Sequence, residues 1–107
     1  MTKNEVISTL NNYTEDLKGI IKEAQGLQKE FAKYGYRGEQ SILCCIDLIV
    51  GIQSKMRTFS SSKKCISTMS DSELASIDLQ DMLNKALEGV EYYRNIYNSL
   101  RNRLNWI

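Results

Sequence analysis

The chain contains no histidine and no proline, and three cysteines among its 107 residues. Without histidine it lacks the side chain that most often serves as a general base near neutral pH, and the commonest ligand for transition metals. Metal catalysis and catalytic triads are not expected on that ground. The cysteines, Cys44, Cys45 and Cys65, form no C-x-x-C pair, and two neighbours on a helix point apart, so free thiols are expected rather than a zinc site or a disulfide. There is no G-x-x-x-x-G-K and no G-x-G-x-x-G, hence no signalled phosphate cradle and no expected cofactor. Charge of one sign is also lacking: 14 basic residues against 13 acidic give +1, too little for recognition of nucleic acid or a membrane by bulk charge. No apolar run reaches the roughly 18 residues a membrane span requires. Met1-Thr2-Lys3-Asn4-Glu5 is unlike the basic-then-apolar start of a secretory signal, and the expected compartment is the cytoplasm.

What the sequence does contain is helical periodicity. Thr2-Lys3-Asn4-Glu5 fits a capping box, and the apolar residues after it fall at Val6, Leu10, Tyr13, Leu17, Ile20, Ala24, Leu27, Phe31 and Tyr34, alternating in steps of four and three. That spacing predicts one long helix over about 3–34. Gly35 and Gly38 then end it in a tight turn. A second helix is expected over about 39–59, with Ile42, Cys45, Ile49, Ile52, Met56 and Phe59 as its seam. Leu43, Ile46, Leu48 and Val50 widen its apolar arc, which predicts a central helix covered on two faces.

The stretch 60–70 is rich in serine, carries Lys63 and Lys64, and reads as a loop. Between Ser41 and Ser70 four bases face Asp47 alone, a local net of +3. Ser70-Asp71-Ser72-Glu73 signals a further helix start, and Leu79, Leu83, Ala86, Val90, Tyr93, Tyr97, Leu100, Leu104 and Ile107 continue the heptad pattern, predicting one helix over about 71–106. Acidic Asp71, Glu73, Asp78 and Asp81 precede Arg94, Arg101 and Arg103, an order that suits the helix dipole.

The expected fold is therefore all-α: a single domain, 1–107, forming an antiparallel up-down-up bundle of three long helices with coiled-coil-like seams. At 1.5 Å per residue the helices would measure roughly 48, 32 and 54 Å, and the short middle helix would leave apolar seam for a second copy to cover, giving a homodimer. This layout gathers Tyr34, Tyr36, Arg37, Arg101, Arg103 and Trp106 at one end. Arginine and aromatic residues are enriched where proteins dock, which marks that end as the candidate partner-binding surface.

The expected function is that of a small non-enzymatic interaction module, an adaptor, immunity factor or inhibitor of the kind a phage or mobile element carries. The alternative partner is nucleic acid, through Lys55, Arg57, Lys63, Lys64 and the arginine end, with aromatics for stacking on single strands. Tyr36-Arg37-Gly38, set between two helices, resembles the W-x-G hairpin of small type VII secretion substrates and their partner proteins over about Thr2–Phe59, with tyrosine in place of tryptophan. That resemblance implies a helical hairpin serving a secretion system. Leu100-Arg101-Asn102-Arg103-Leu104-Asn105-Trp106 resembles the R-N-x-x-x-H stretch of HEPN ribonuclease domains, with Asn105 roughly in the place of their histidine, so the resemblance implies no retained catalysis. Neither brings a site residue with it.

Overall fold

In a computed structural model, which describes every residue from Met1 to Ile107, the chain is 91% helical and has no strand. The elements are α1 (Lys3–Ala32), α2 (Glu39–Thr68), α3 (Asp71–Ala75) and α4 (Leu79–Asn102), with 3-10 turns at Gly35–Gly38 and Arg103–Trp106. Three helices are long and one is short. They pack into a rod of 57 × 18 × 16 Å.

The Thr2 hydroxyl caps α1 by accepting the Glu5 amide at 3.2 Å. The reciprocal bond from the Glu5 side chain is not made, so only half of the expected capping box forms. Along α1, Val6, Leu10, Leu17, Ile20, Ala24, Leu27 and Phe31 are buried on one stripe, and Tyr13 is half-buried beside it. Gly35, at φ +61°, takes the left-handed conformation that closes the helix. Gly38 lies against the carbonyl of Phe31, where a methyl group would collide with backbone. Glycine is what allows α2 to leave so close to α1.

The expected loop at 60–70 is instead helix as far as Thr68, and α2 has 30 residues rather than ending at Phe59. Phe59 and Ile66, seven residues apart, are both buried, so the apolar seam runs through the serines and holds them in the helix. The hydroxyls of Ser67 and Thr68 donate to their own helix, to Lys64 O at 2.7 Å and Cys65 O at 3.0 Å. With α1 and α2 at 30 residues each, the middle helix is not short. Helix length leaves no surplus seam of α1 for a second copy to cover.

The buried line of α2 also differs from the expected one. It passes through Ser41, Cys45, Leu48, Ile52, Phe59 and Ile66, while Ile42, Ile49 and Met56 flank it half-buried. The expectation that α2 is covered on two faces fails, because Leu43, Ile46 and Val50 are 54%, 42% and 55% exposed. No element of this chain lies over them.

The single helix expected over 71–106 is broken. Ser70 and Glu73 complete a capping box, yet it opens only the five residues of α3. Asp78 then accepts the Asp81 amide at 3.0 Å and caps a fresh helix, α4. The α4 positions Leu79, Leu83, Ala86, Val90, Tyr97 and Leu100 are buried, and Tyr93, Leu104 and Ile107 are half-buried.

Polar side chains mark where the helices meet. Lys63 of α2 donates to Asn11 of α1 at 2.7 Å, and Lys3, at the start of α1, donates to Met69 O at 2.8 Å, just past the end of α2. Arg94 of α4 pairs with Glu23 of α1 at 2.6 Å and lies over the ring of Tyr97. Gly51 of α2 sits under the ring of Tyr93, whose nearest atom would be 3.1 Å from an added methyl.

Three substitutions test this description by chemical denaturation. Ile66→Asp should cost about 2–4 kcal/mol, since it places a charge on a buried seam position, whereas a loop residue would tolerate it. Gly19→Ala and Gly26→Ala should each add about 0.5–1 kcal/mol, because a methyl at either site meets nothing within 4 Å.

Candidate partner-binding end

The Gly35–Gly38 turn and the Arg103–Trp106 turn that follows α4 lie towards one end of the rod, where Arg103 reaches Cys44 near the start of α2 and Leu104 shares a cleft with Glu30 near the end of α1. The first is fixed by Gly35 and Gly38, and the second by the last buried residue of α4, Leu100, with Leu104 and Ile107 half-buried behind it. These anchors leave the intervening side chains outside. Tyr34, Tyr36 and Trp106 are 41%, 78% and 87% exposed, and Arg37 is exposed beside them.

The two arginines of the α4 end part company. Arg101 lines a cleft of about 440 Å³ between α1 and α4, with Glu23, Glu30 and Leu27 on the opposite wall. Arg103 lies on the other flank, its Nη1 3.5 Å from the Sγ of Cys44 in α2. The six residues expected at one end thus share that end of the rod, but Arg101 and Arg103 straddle α4. No hydrogen bond, ion pair or ring contact joins any two of the six.

The four basic residues considered for nucleic acid do not gather. Lys55 lies over Gly89 of α4, Lys63 is bonded to Asn11 of α1, and Arg57 and Lys64 are exposed on the outer side of α2. Helix continuity through 60–68 is the reason: a loop would have let them turn to one side, whereas a helix fixes them at about 100° per residue.

A groove that sequence reasoning missed runs between α2 and α4. It has a volume of about 330 Å³ and is lined by Cys44, Tyr92, Asn95, Ile96, Ser99, Leu100 and Arg103. The signal was present in the spacing of Tyr92, Asn95, Ser99 and Arg103, which follow one edge of a helix in steps of three and four. The largest cleft, about 640 Å³, opens at the other end of the rod among Met1–Asn4, Asp71, Leu74, Ala75 and Leu79. Its Lys3 is already engaged by the Met69 carbonyl.

All three thiols are free: Cys45 is buried, Cys44 half-buried and Cys65 exposed. Burial pushes the Cys45 thiol up from its usual 9.0 to about 11, with Cys44 adding to the rise and Arg103 opposing it. No group of three or more His, Cys, Asp or Glu residues is placed to hold a metal ion. No helix is long and apolar enough to cross a membrane.

No family model, no curated protein and no solved structure matches the chain. The W-x-G and HEPN resemblances therefore stand without a family match beside them. In the second, strict spacing puts Trp106 rather than Asn105 at the histidine position, and an indole cannot exchange a proton as imidazole does.

Thiol labelling at pH 8 should proceed in the order Cys65, Cys44, Cys45, the last only on unfolding, as read by mass spectrometry of partially labelled protein. The same buried thiol gives a pH dependence. Between the ordinary 9.0 and about 11 the unfolded chain releases this proton and the folded chain retains it. Stability from this group is complete below about pH 9 and declines as pH rises through that window, so Cys45→Ala should flatten the alkaline limb of a stability profile.

Proposed function

We propose that this chain is a non-enzymatic contact module that folds as an up-down-up bundle of three long helices with heptad seams, and that it binds another protein through the end carrying Tyr36 and Trp106. The contacts support the topology. Asn11 with Lys63 and Lys3 with Met69 favour opposite directions for α1 and α2, while Glu23 with Arg94 and Glu30 across the cleft from Arg101 favour the same direction for α1 and α4.

The observation that carries the binding reading is the exposure of Trp106 and Tyr36, at 87% and 78%, on the two turns that form this end. Large aromatic rings held in water gain most from a partner that covers them, and arginines beside them supply planar donors with an apolar face. Arg37, Arg101 and Arg103 are free of carboxylate partners within the chain, so they are available to an acidic or carbonyl-rich surface. An adaptor, an immunity factor and an inhibitor would all use such a surface. Nucleic acid fits less well, because Lys55, Lys63 and the pair Arg57 and Lys64 occupy three faces and the net charge is +1. The hairpin-partner reading shares the same turn, and it would move the contact towards Tyr36 and away from Trp106.

Affinity capture of the tagged chain from its native extract, with and without nuclease and at two salt concentrations, tests this reading. A stoichiometric protein should survive nuclease and be lost with Arg101→Glu plus Trp106→Ala, while the circular dichroism melt stays unchanged. Capture that is unaffected by the double substitution, or that disappears with nuclease, would overturn it.

A further inference from the structure

The outer side of α2 carries a pattern that its own chain does not use. Taking about 100° per residue, Glu39, Leu43, Ile46, Val50, Gln53 and Arg57 lie on one stripe on the side away from the buried line through Cys45, Leu48 and Ile52, with exposed Asp47 and Ser54 along one edge of it. Three apolar side chains, each between 42% and 55% exposed, stand in the middle of it. Glu39 lies towards one end and Arg57 towards the other, both exposed and neither in an ion pair within the chain. The stripe is thus acidic, then apolar, then basic.

Such a stripe complements itself when reversed. We infer that two copies of this chain pair antiparallel through the outer face of α2, about a two-fold axis at the level of Leu48. In that register Ile46 faces Val50 of the second copy and Leu43 faces Gln53. Glu39 comes opposite Arg57 on each side of the axis. An isologous contact makes every pairing twice, so one register satisfies four charges and brings six apolar side chains together. Parallel pairing would set Glu39 against Glu39 and Arg57 against Arg57. The charge order therefore selects the direction, and the apolar centre supplies the attraction.

The apolar patch is small beside the roughly 800 Å² per partner of a standard stable interface, so the dimer is a reversible one whose population rises across the micromolar range. The contact begins beside the Gly35–Gly38 turn and does not include Trp106, which lies on the turn after α4.

Sedimentation velocity from about 5 µM to about 1 mM, at two salt concentrations, reads the equilibrium directly. Wild type should pass from monomer to dimer, more readily at low salt. Ile46→Asp should weaken association by at least about tenfold with an unchanged melt, since the site is on the surface. Glu39→Arg alone and Arg57→Glu alone should each weaken it, because each sets like charges opposite one another. An equimolar mixture of those two variants should recover a dimer containing one of each. In that pair the two substituted side chains, of opposite charge, face each other on one side of the axis, and the native Glu39 and Arg57 that remain face each other on the other side. A monomer throughout the range overturns the inference, and it is the result expected if a different protein covers this face. A dimer indifferent to Ile46→Asp, or a mixture that associates no better than its components, overturns it equally.

Discussion

The packing of this molecule depends on one stripe of side chains on α1. Val6, Leu17, Ile20, Ala24 and Phe31 have no exposure, and Leu10 and Leu27 have almost none. Both α2 and α4 are laid against that stripe, and α3 contributes no buried residue. A rod only 16 to 18 Å across has no depth in which to hide a second layer, so a position is either on the shared axis or on the surface. Removal of a large side chain from α1 therefore opens a gap bordered by two helices at once, where collapse is hardest.

That thinness governs what α2 does with its excess of apolar residues. The helix is greasy around most of its circumference, but three helices meeting at one axis give each of them a single inward face. Cys45, Leu48 and Ile52 take it, and Leu43, Ile46 and Val50 are left facing water. The middle of α2's outer face carries these three apolar side chains, bordered along one edge by Asp47 and Ser54. In a monomer this costs solubility without adding stability, and the region differs in that respect from the outer faces of α1 and α4, which carry ion pairs such as Glu15 with Lys18 and Asp81 with Lys85.

Periodicity was readable because it reports directly on burial: the stripe of α1 and most of that of α4 follow from spacing alone. Three features were not readable, each for a physical reason. Serine and lysine at 60–68 have the composition of a loop, yet Phe59 and Ile66 keep the helical phase across them, and burial of two large side chains outweighs the modest preference of serine for turns. Asp78 stands just before the repeat that begins at Leu79; the five-residue step from Leu74 departs from that repeat, but the helix-start signal at Ser70-Asp71-Ser72-Glu73 draws the boundary upstream of the carboxylate that caps the new helix. The wheel of α2 shows how much apolar surface exists but not how much of it finds cover, which depends on the number of neighbours. The end with Tyr36 and Trp106 follows from chain direction, and the separation of Arg101 from Arg103 was legible too, since residues two apart on a helix point about 200° from each other and Arg103 still has helical backbone angles.

The contact of Lys3 with the end of α2 has a consequence for how the rod opens. Its ammonium takes the carbonyls of Met69 and Ser67, at 2.8 and 3.4 Å, where the last turn of a helix leaves acceptors unfilled and partial negative charge accumulates. Lys3 is itself the first residue of α1. Two helix ends that would ordinarily fray on their own are thereby made each other's clasp: unwinding the start of α1 strips the last turn of α2 of its cation, and unwinding the end of α2 leaves Lys3 with nothing to hold. At this extremity of the rod, fraying of either helix end removes a contact of the other.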